Sequence, residues 1–380
     1  MKLQITTFVL FAGSALLGQT PSIVSKTAAE IRIDQAKTAI QQNPKKGDGY
    51  AALANALLRR ELETSDPKYR REAEAAIEKA LGTEPDHFEA LKARTMILLR
   101  DHEYSKAQEL ARKLNKRTPD DVPTYGLVAE ASVALGDYKE AEEAVQWMLD
   151  MRPGNLPAYL EGATLREMFG EVDGARDFLS QAYQRVRPEE AQERASILLR
   201  LSHLALLNNN PVSADRLVEQ ARKLFPAYPA ATLQLARVRM AQKNYAEAAD
   251  LFRLVNTIAP RTEYLFYLAD ALEKGGNVQE ASGIFAEFEK KAIAESELAD
   301  NANRELIRYY LDGSKNVPDG LRLAKREASV RHDSYTLDLY AWGLYASGRK
   351  AEAKTQSDRA VTVGLRDPDV LAHAKIIASN

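Results

Sequence analysis

From about Lys26 to the end of the chain, apolar side chains recur at three- and four-residue spacing, with charged residues between them. This is the pattern of amphipathic helices packed along one face. No window of four to eight residues holds the strict alternation that a half-buried strand needs. Glycine and proline fall mainly between the periodic stretches, where helices stop. The reading is therefore all-α, helix after helix.

The stops are themselves periodic. Pro85, Pro119 and Pro153 stand 34 residues apart (119 − 85 and 153 − 119), and so do Pro226 and Pro260 (260 − 226). Each follows the second helix of a pair, where its ring cannot continue the hydrogen-bond ladder. Inside each period one turn recurs: Gly136-Asp137-Tyr138-Lys139-Glu140-Ala141, then Asn244-Tyr245-Ala246-Glu247-Ala248, Gly276-Asn277-Val278-Gln279-Glu280-Ala281 and Gly348-Arg349-Lys350-Ala351-Glu352-Ala353. Gly136, Gly170 and Gly276 are placed to take the left-handed conformation that ends a first helix. Ala129, Ala236 and Ala269 on first helices, with Ala107, Ala141, Ala175, Ala214 and Ala248 on second helices, leave room for close approach. One hairpin cannot bury both of its faces, so neighbours must stack.

These residues resemble the tetratricopeptide repeat, over nearly all of the chain after residue 46. The resemblance implies an α-solenoid of stacked antiparallel hairpins coiled into an open right-handed superhelix. The expected organisation is a signal peptide or anchor at 1–25, a half-repeat or capping helix at 26–46, and seven hairpins over 47–291. A degenerate hairpin at 292–332, a last hairpin at 333–367 and a capping helix at 368–380 follow. The first hairpin is expected to carry a long turn, Glu63 to Arg70.

Charge adds little: 52 basic against 54 acidic residues leave a net −2. That balance predicts neither a nucleic-acid surface nor a polybasic membrane patch. Cysteine is absent, which excludes disulfides, thiolate metal sites and an acylated N-terminal cysteine. Lys2 followed by Phe8 to Leu17 reads as a secretory signal, too short for the ~20 residues of a membrane span. Export to the periplasm or envelope of a bacterium is the expectation, with no strong membrane association after cleavage.

Catalytic motifs are missing. The five histidines form no His-Glu-x-x-His, and no Gly-x-Ser-x-Gly elbow or Walker loop is present. Acidic pairs such as Glu142-Glu143 read as solvated helix faces, His87 and His102 as solvated repeat edges, and Asn208-Asn209-Asn210 as a helix stop. No enzyme, cofactor or metal is expected. The family resemblance implies that first helices line the concave face, presenting Asn55, Met96, Leu99, Glu130, Thr164, His203, Arg237, Phe266, Asp270, Trp342 and Tyr345, with Leu58, Val133, Leu160, Leu199 and Leu233 beside them. The apolar members could instead pack against the next repeat. Trp342 and Tyr345 are expected as anchors for a partner. The Lys/Arg/Asn cluster with which some relatives hold chaperone tails is not matched: Leu199 with His203, and Leu233 with Arg237, stand there instead. The functional expectation is a scaffold holding a protein or peptide, with two alternatives. One is an accessory part of an envelope enzyme, assembly or secretion system. The other is an enzyme needing two carboxylates across a deep pocket.

Overall fold

The computed structural model describes residues 26–379; the proposed signal segment lies outside them. Among the described residues there are twenty α-helices and no strand. Helix α1 (Ala28–Gln42) stands alone. Pairs follow: α2 (Gly47–Thr64) with α3 (Pro67–Thr83), α4 (Phe88–Arg100) with α5 (Tyr104–Arg117), α6 (Val122–Leu135) with α7 (Tyr138–Met151), and α8 (Leu156–Met168) with α9 (Val172–Arg185). Next come α10 (Ala191–Leu207) with α11 (Pro211–Leu224), α12 (Pro229–Ala241) with α13 (Tyr245–Ile258), and α14 (Thr262–Lys274) with α15 (Val278–Glu295). Short α16 (Asn303–Arg308) runs into a π-helical turn, Tyr309–Gly313, before α17 (Val317–Val330); α18 (Ser334–Ala346), α19 (Lys350–Val361) and α20 (Pro368–Ala378) close the chain.

The hairpins form for local reasons. At every turn inside a pair one residue has positive φ: Ser65, His102, Gly136, Gly170, Asn209, Lys243, Gly276, Lys315 and Gly348. Five of these nine are not glycine, at a cost of about 1–2 kcal/mol each. Side-chain caps then start the next helix: Asp137 accepts from Glu140 N, Asn210 from Ser213 N and Asn244 from Glu247 N. The small residues at the crossings, Ala107, Ala129, Ala141, Ala175, Ala214, Ala236, Ala248 and Ala269, are all 0% exposed. Stacked pairs bury one apolar cluster after another along the array.

Two expectations fail here. The first hairpin has no long turn: α2 runs to Thr64, and Asp66 caps α3 with Pro67 in its first turn, so only Ser65 and Asp66 intervene. The additional residues lengthen the helices. His87 is not solvated either; it is 5% exposed, its Nδ1 accepts from Ala90 N, and its ring occupies the space a side chain at Gly47 would need.

The larger difference is that the spiral is not open. Turns of the superhelix touch. His332 N donates to Leu135 O at 2.9 Å, and Ser334 N donates to the Tyr138 hydroxyl at 3.0 Å, residues 196 apart. Gly136 lies against the His332–Asp333 backbone and Gly170 against Gly364, each too close for a Cβ. Leu365, 1% exposed, fills a cluster with Met168 and Val370. At the N-terminal end Arg59 donates to Glu190 at 2.7 Å, and Arg32 pairs with the same carboxylate. Successive turns thereby wall the groove into a channel that stays partly open to solvent.

Candidate functional site

The channel wall is made by the first helix of each pair. On α4, Arg100 donates to Leu58 O at 3.1 Å and to Glu61 at 2.6 Å. On α6, Glu130 is accessible from the channel but enclosed by protein; burial raises its pKa, against the pull of Arg100 and Arg200. On α8, burial and then the Glu130 charge push Glu161 up to about 8, with Arg200 opposing. On α10, Arg200 donates to Thr164 Oγ1 at 2.8 Å and to Leu160 O at 3.1 Å. Two carboxylates and two guanidinium groups thus share this stretch of the lumen, and burial favours the neutral form of both carboxyls.

Two cavities open off the lumen. One, of about 620 Å³, lies between turns of the superhelix: Tyr104 contributes one side, and Arg237, Tyr264, Tyr267, Arg304 and Arg331 the other. A second, of about 960 Å³, is lined by Arg70, Arg100, Tyr228, Tyr264 and Leu298. Arg261, Glu263, Tyr264, Leu298 and Asn301 border both. Arg237 lies 5.9 Å from the Tyr267 ring centre and Arg304 lies 4.1 Å from that of Tyr335. The Tyr267 hydroxyl donates to Glu305 at 2.7 Å. Burial raises the pKa of Tyr267 and pushes Tyr104 up to about 12, so both stay neutral donors.

The residues expected on the inner face divide into three kinds. Glu130 and Arg237 are exposed, Arg237 at the 620 Å³ cavity, while the Thr164 hydroxyl accepts from Arg200 and donates to Leu160 O. His203 and Asp270 have local partners, His203 Nε2 lying 3.1 Å from Glu167 and Asp270 accepting from Lys274 at 2.8 Å. Asn55 donates to Ala51 O within its own helix. Leu99 and Phe266, at 4% and 8% exposure, are core residues instead, as are Leu58 and Leu199; they seal one repeat against the next. Met96, Val133, Leu160 and Leu233 are partly buried against the same clusters. Trp342 is not a free anchor. It stacks on Tyr345 at 5.4 Å and under His373 of α20 at 4.3 Å, and its Nε1 donates to Asp312 at 2.8 Å.

The sequence reading missed Arg100, Glu161, Arg200, Tyr267 and Arg304. A signal for three of them was present: Glu161, Arg200 and Tyr267 each stand three residues before the inward position already identified in their helix (Thr164, His203 and Asp270), and so one turn along the same face. Among the described residues no group of three or more His, Asp or Glu could hold a metal ion, and no helix is long and apolar enough to cross a membrane.

Residues 129–195 and 205–266 match tetratricopeptide repeat family models. No curated protein matches the chain. Among solved structures it is similar to the Cut9–Hcn1 hetero-tetramer of the APC/C, with 16% identity over 93% of this chain and 60% of that one and a TM-score of 0.53. It is also similar to the human IFIT1 dimer with m7Gppp-AAAA, at 17% identity over 87% of this chain and 76% of that one, TM-score 0.55. PilW, a type IV pilus biogenesis factor, gives 17% identity over 55% and 92%, TM-score 0.44. The chain spans 60% of the length of the first of these. At such identities the likeness is one of fold. The described residues form an all-α solenoid, two stretches of which match tetratricopeptide repeat models.

Proposed function

We propose that this protein is a non-catalytic scaffold of the bacterial cell envelope that holds an extended polypeptide segment inside its channel. The observation that carries the reading is the inner wall itself, where successive first helices contribute Arg100, Glu130, Glu161, Arg200, Arg237, Tyr267 and Arg304, of which Arg237 and Arg304 make no ion pair among the described residues. Such a surface suits side chains offered at intervals along an extended chain. The proposed signal segment and a repeat array with no catalytic motif support the envelope assignment. An accessory subunit of an envelope enzyme or secretion assembly would use the same channel, its partner then co-purifying as a stable complex.

Photo-crosslinking tests the reading. A crosslinkable residue at Thr164 or Arg237 is expected to capture a polypeptide from envelope extracts; the same residue at Lys139, on the outer surface with its side chain 87% exposed, is not. Capture from Lys139 alone would place the partner outside the channel. Export is checked by N-terminal sequencing of protein from fractionated cells: an intact Met1 in a wholly cytosolic protein refutes it.

One observation favours a second reading, acid–base chemistry. Glu161 holds a proton near neutral pH beside Glu130, as a general acid beside a carboxylate would. Release of reducing ends from cell-wall polysaccharide by the wild type, lost in Glu161→Gln, would establish it; no release from either protein would remove it.

A further inference from the structure

Most arginines of this protein are neutralised nearby. In the 620 Å³ cavity Arg261 pairs with Glu263 and Asp300, Arg326 with Glu297, and Arg331 with Asp333. Arg237 and Arg304 differ. Among the described residues neither makes an ion pair; each lies against a tyrosine ring, Arg304 also feels the more distant charges of Glu305 and Asp333, and both are exposed. They flank one phenol, since both bear electrostatically on Tyr267, whose hydroxyl is committed to Glu305. A guanidinium in a protein-walled space, with aromatic support and no carboxylate within hydrogen-bonding distance, is a donor fork that lacks its acceptor. The cavity also presents apolar surface: Leu298 and Val330, 59% and 63% exposed, border it.

We infer that this cavity binds an acidic segment of a polypeptide, with Arg237 and Arg304 receiving one or two side-chain carboxylates and Leu298 and Val330 the apolar residues beside them. The inference rests on the scaffold reading and names the partner's chemistry. The number of free cations decides between polyanion and peptide. Nucleic-acid binders make on the order of 6–10 phosphate contacts. Here two guanidinium groups are unpaired, too few for a string of phosphates, while Glu263, Glu297, Glu305 and Glu327 of the same wall are committed to Arg261, Arg326, Tyr267 and Arg331. Two arginines match a sparse pair of carboxylates, while the glutamates leave space for amides and apolar side chains. Arg237 belongs to α12 and Arg304 to α16, so the two charges reach a bound chain from separate repeats and favour an extended segment over a compact group.

The test pans a random dodecapeptide display library on the full chain, on the double variant Arg237→Gln/Arg304→Gln, and on Lys139→Gln as an outer-surface control. Neither arginine holds an ion pair, so the double variant should keep the wild-type thermal midpoint; Arg237→Lys/Arg304→Lys, which retains the charge, stands in if it does not. Expected are wild-type binders enriched in Asp and Glu, and a synthetic copy of the best one bound about tenfold or more weakly by the glutamine variant, the scale of losing charge-assisted hydrogen bonds. Binding to Lys139→Gln should be unchanged and to the lysine variant intermediate. Binders without acidic enrichment, or acidic binders held equally by the glutamine variant, would overturn the inference and leave the scaffold reading standing. Absence of any peptide binder to the wild-type chain would overturn both. A labelled twelve-nucleotide oligouridylate binding as tightly as the best peptide would also overturn the inference, with nucleic acid as the ligand class.

Discussion

Turn-to-turn closure can be tested with one methyl group. Gly136 and Gly276 occupy the same turn position in different repeats, with φ of 83° and 87°. Alanine at either must adopt a left-handed conformation, costing about 1–2 kcal/mol. The surroundings differ. A Cβ at Gly276 meets nothing within 4 Å, whereas one at Gly136 would lie 2.5 Å from His332 C and 2.6 Å from both Asp333 N and His332 O. Those are backbone atoms, which cannot rotate away. Relief requires the α17–α18 connection to retreat by about an ångström, and the bonds from His332 N to Leu135 O and from Ser334 N to the Tyr138 hydroxyl are lost with it. At about 0.5–1.5 kcal/mol per bond, closure adds about 1–3 kcal/mol to the conformational cost. Gly136→Ala should therefore lose about 2–5 kcal/mol where Gly276→Ala loses about 1–2. Urea unfolding followed by circular dichroism measures the difference, and small-angle X-ray scattering should show a larger radius of gyration for Gly136→Ala alone. Equal losses and superimposable scattering curves would mean that the turns do not touch in solution.

Three further outcomes follow from the same geometry. Glu190 accepts from Arg32, Arg59 and Arg187, and those contacts, the Arg32 hydrogen bond first, hold its pKa below 4.5. Its stabilising contribution is thus full above the unfolded value and lost as pH falls through the lower folded one, so Glu190→Gln should cost about 1–2 kcal/mol at pH 7 and little below pH 4, read by urea titration at both pH values; a cost independent of pH refutes the pairing. Glu161, raised to about 8, contributes in the opposite sense: the native state favours its proton, so stability falls as pH rises from 4.5 towards 8. Glu161→Gln should be more stable than wild type at pH 8.5 and nearly equal at pH 4.5, and equal stability at both would show a solvated carboxylate. Burial lowers the pKa of His373, but its hydrogen bond to Asp338 at 2.9 Å prevails and raises it, so the docking of α20 is strongest below about pH 6.5 and weakens as pH rises through the raised value. In a Trp147→Phe background, Trp342 emission should shift red over that range, and Asp338→Asn should move the midpoint down; an emission flat with pH refutes the coupling.

The hairpins were legible because each is encoded within a few residues. A left-handed stop followed by an Asp or Asn cap marks the turn after Gly136 as clearly as the one after Lys243, where no glycine is present. The positions of the small crossing residues follow from helix periodicity alone. The closure was not legible, because nothing local distinguishes Gly136, which touches a strand of backbone 196 residues on, from Gly276, which touches nothing. Of the positions expected on the inner face, Arg237 borders a cavity and Glu130 is exposed, each a polar residue that breaks an apolar stripe. The expectation failed at Leu99 and Phe266, because a repeat's inward stripe also supplies the contact with its neighbour. It failed at Trp342 because covering α20 follows on the chain but returns over the last hairpin. Glu161 and Arg304 escaped notice as ordinary charged residues; their character comes from enclosure, which depends on the closure.

In an open repeat array stability is a sum of nearest-neighbour contacts, and a ligand in the groove strengthens only the repeats it touches. Closure alters that relation here. The 620 Å³ cavity has Tyr104 and Ser105 on one turn of the superhelix and Arg304, Arg326 and Arg331 on the next, with His102 3.6 Å from Asp300 at their junction. A segment held in the cavity spans this seam, so it binds the closed form better than an opened one. Linkage then requires that closure favour the ligand by the same factor. Weakening the seam anywhere along its length, at Gly136 or at Glu190, should lower affinity for an internal ligand although neither residue lines the cavity. A ligand seated on the outer surface would be indifferent to both.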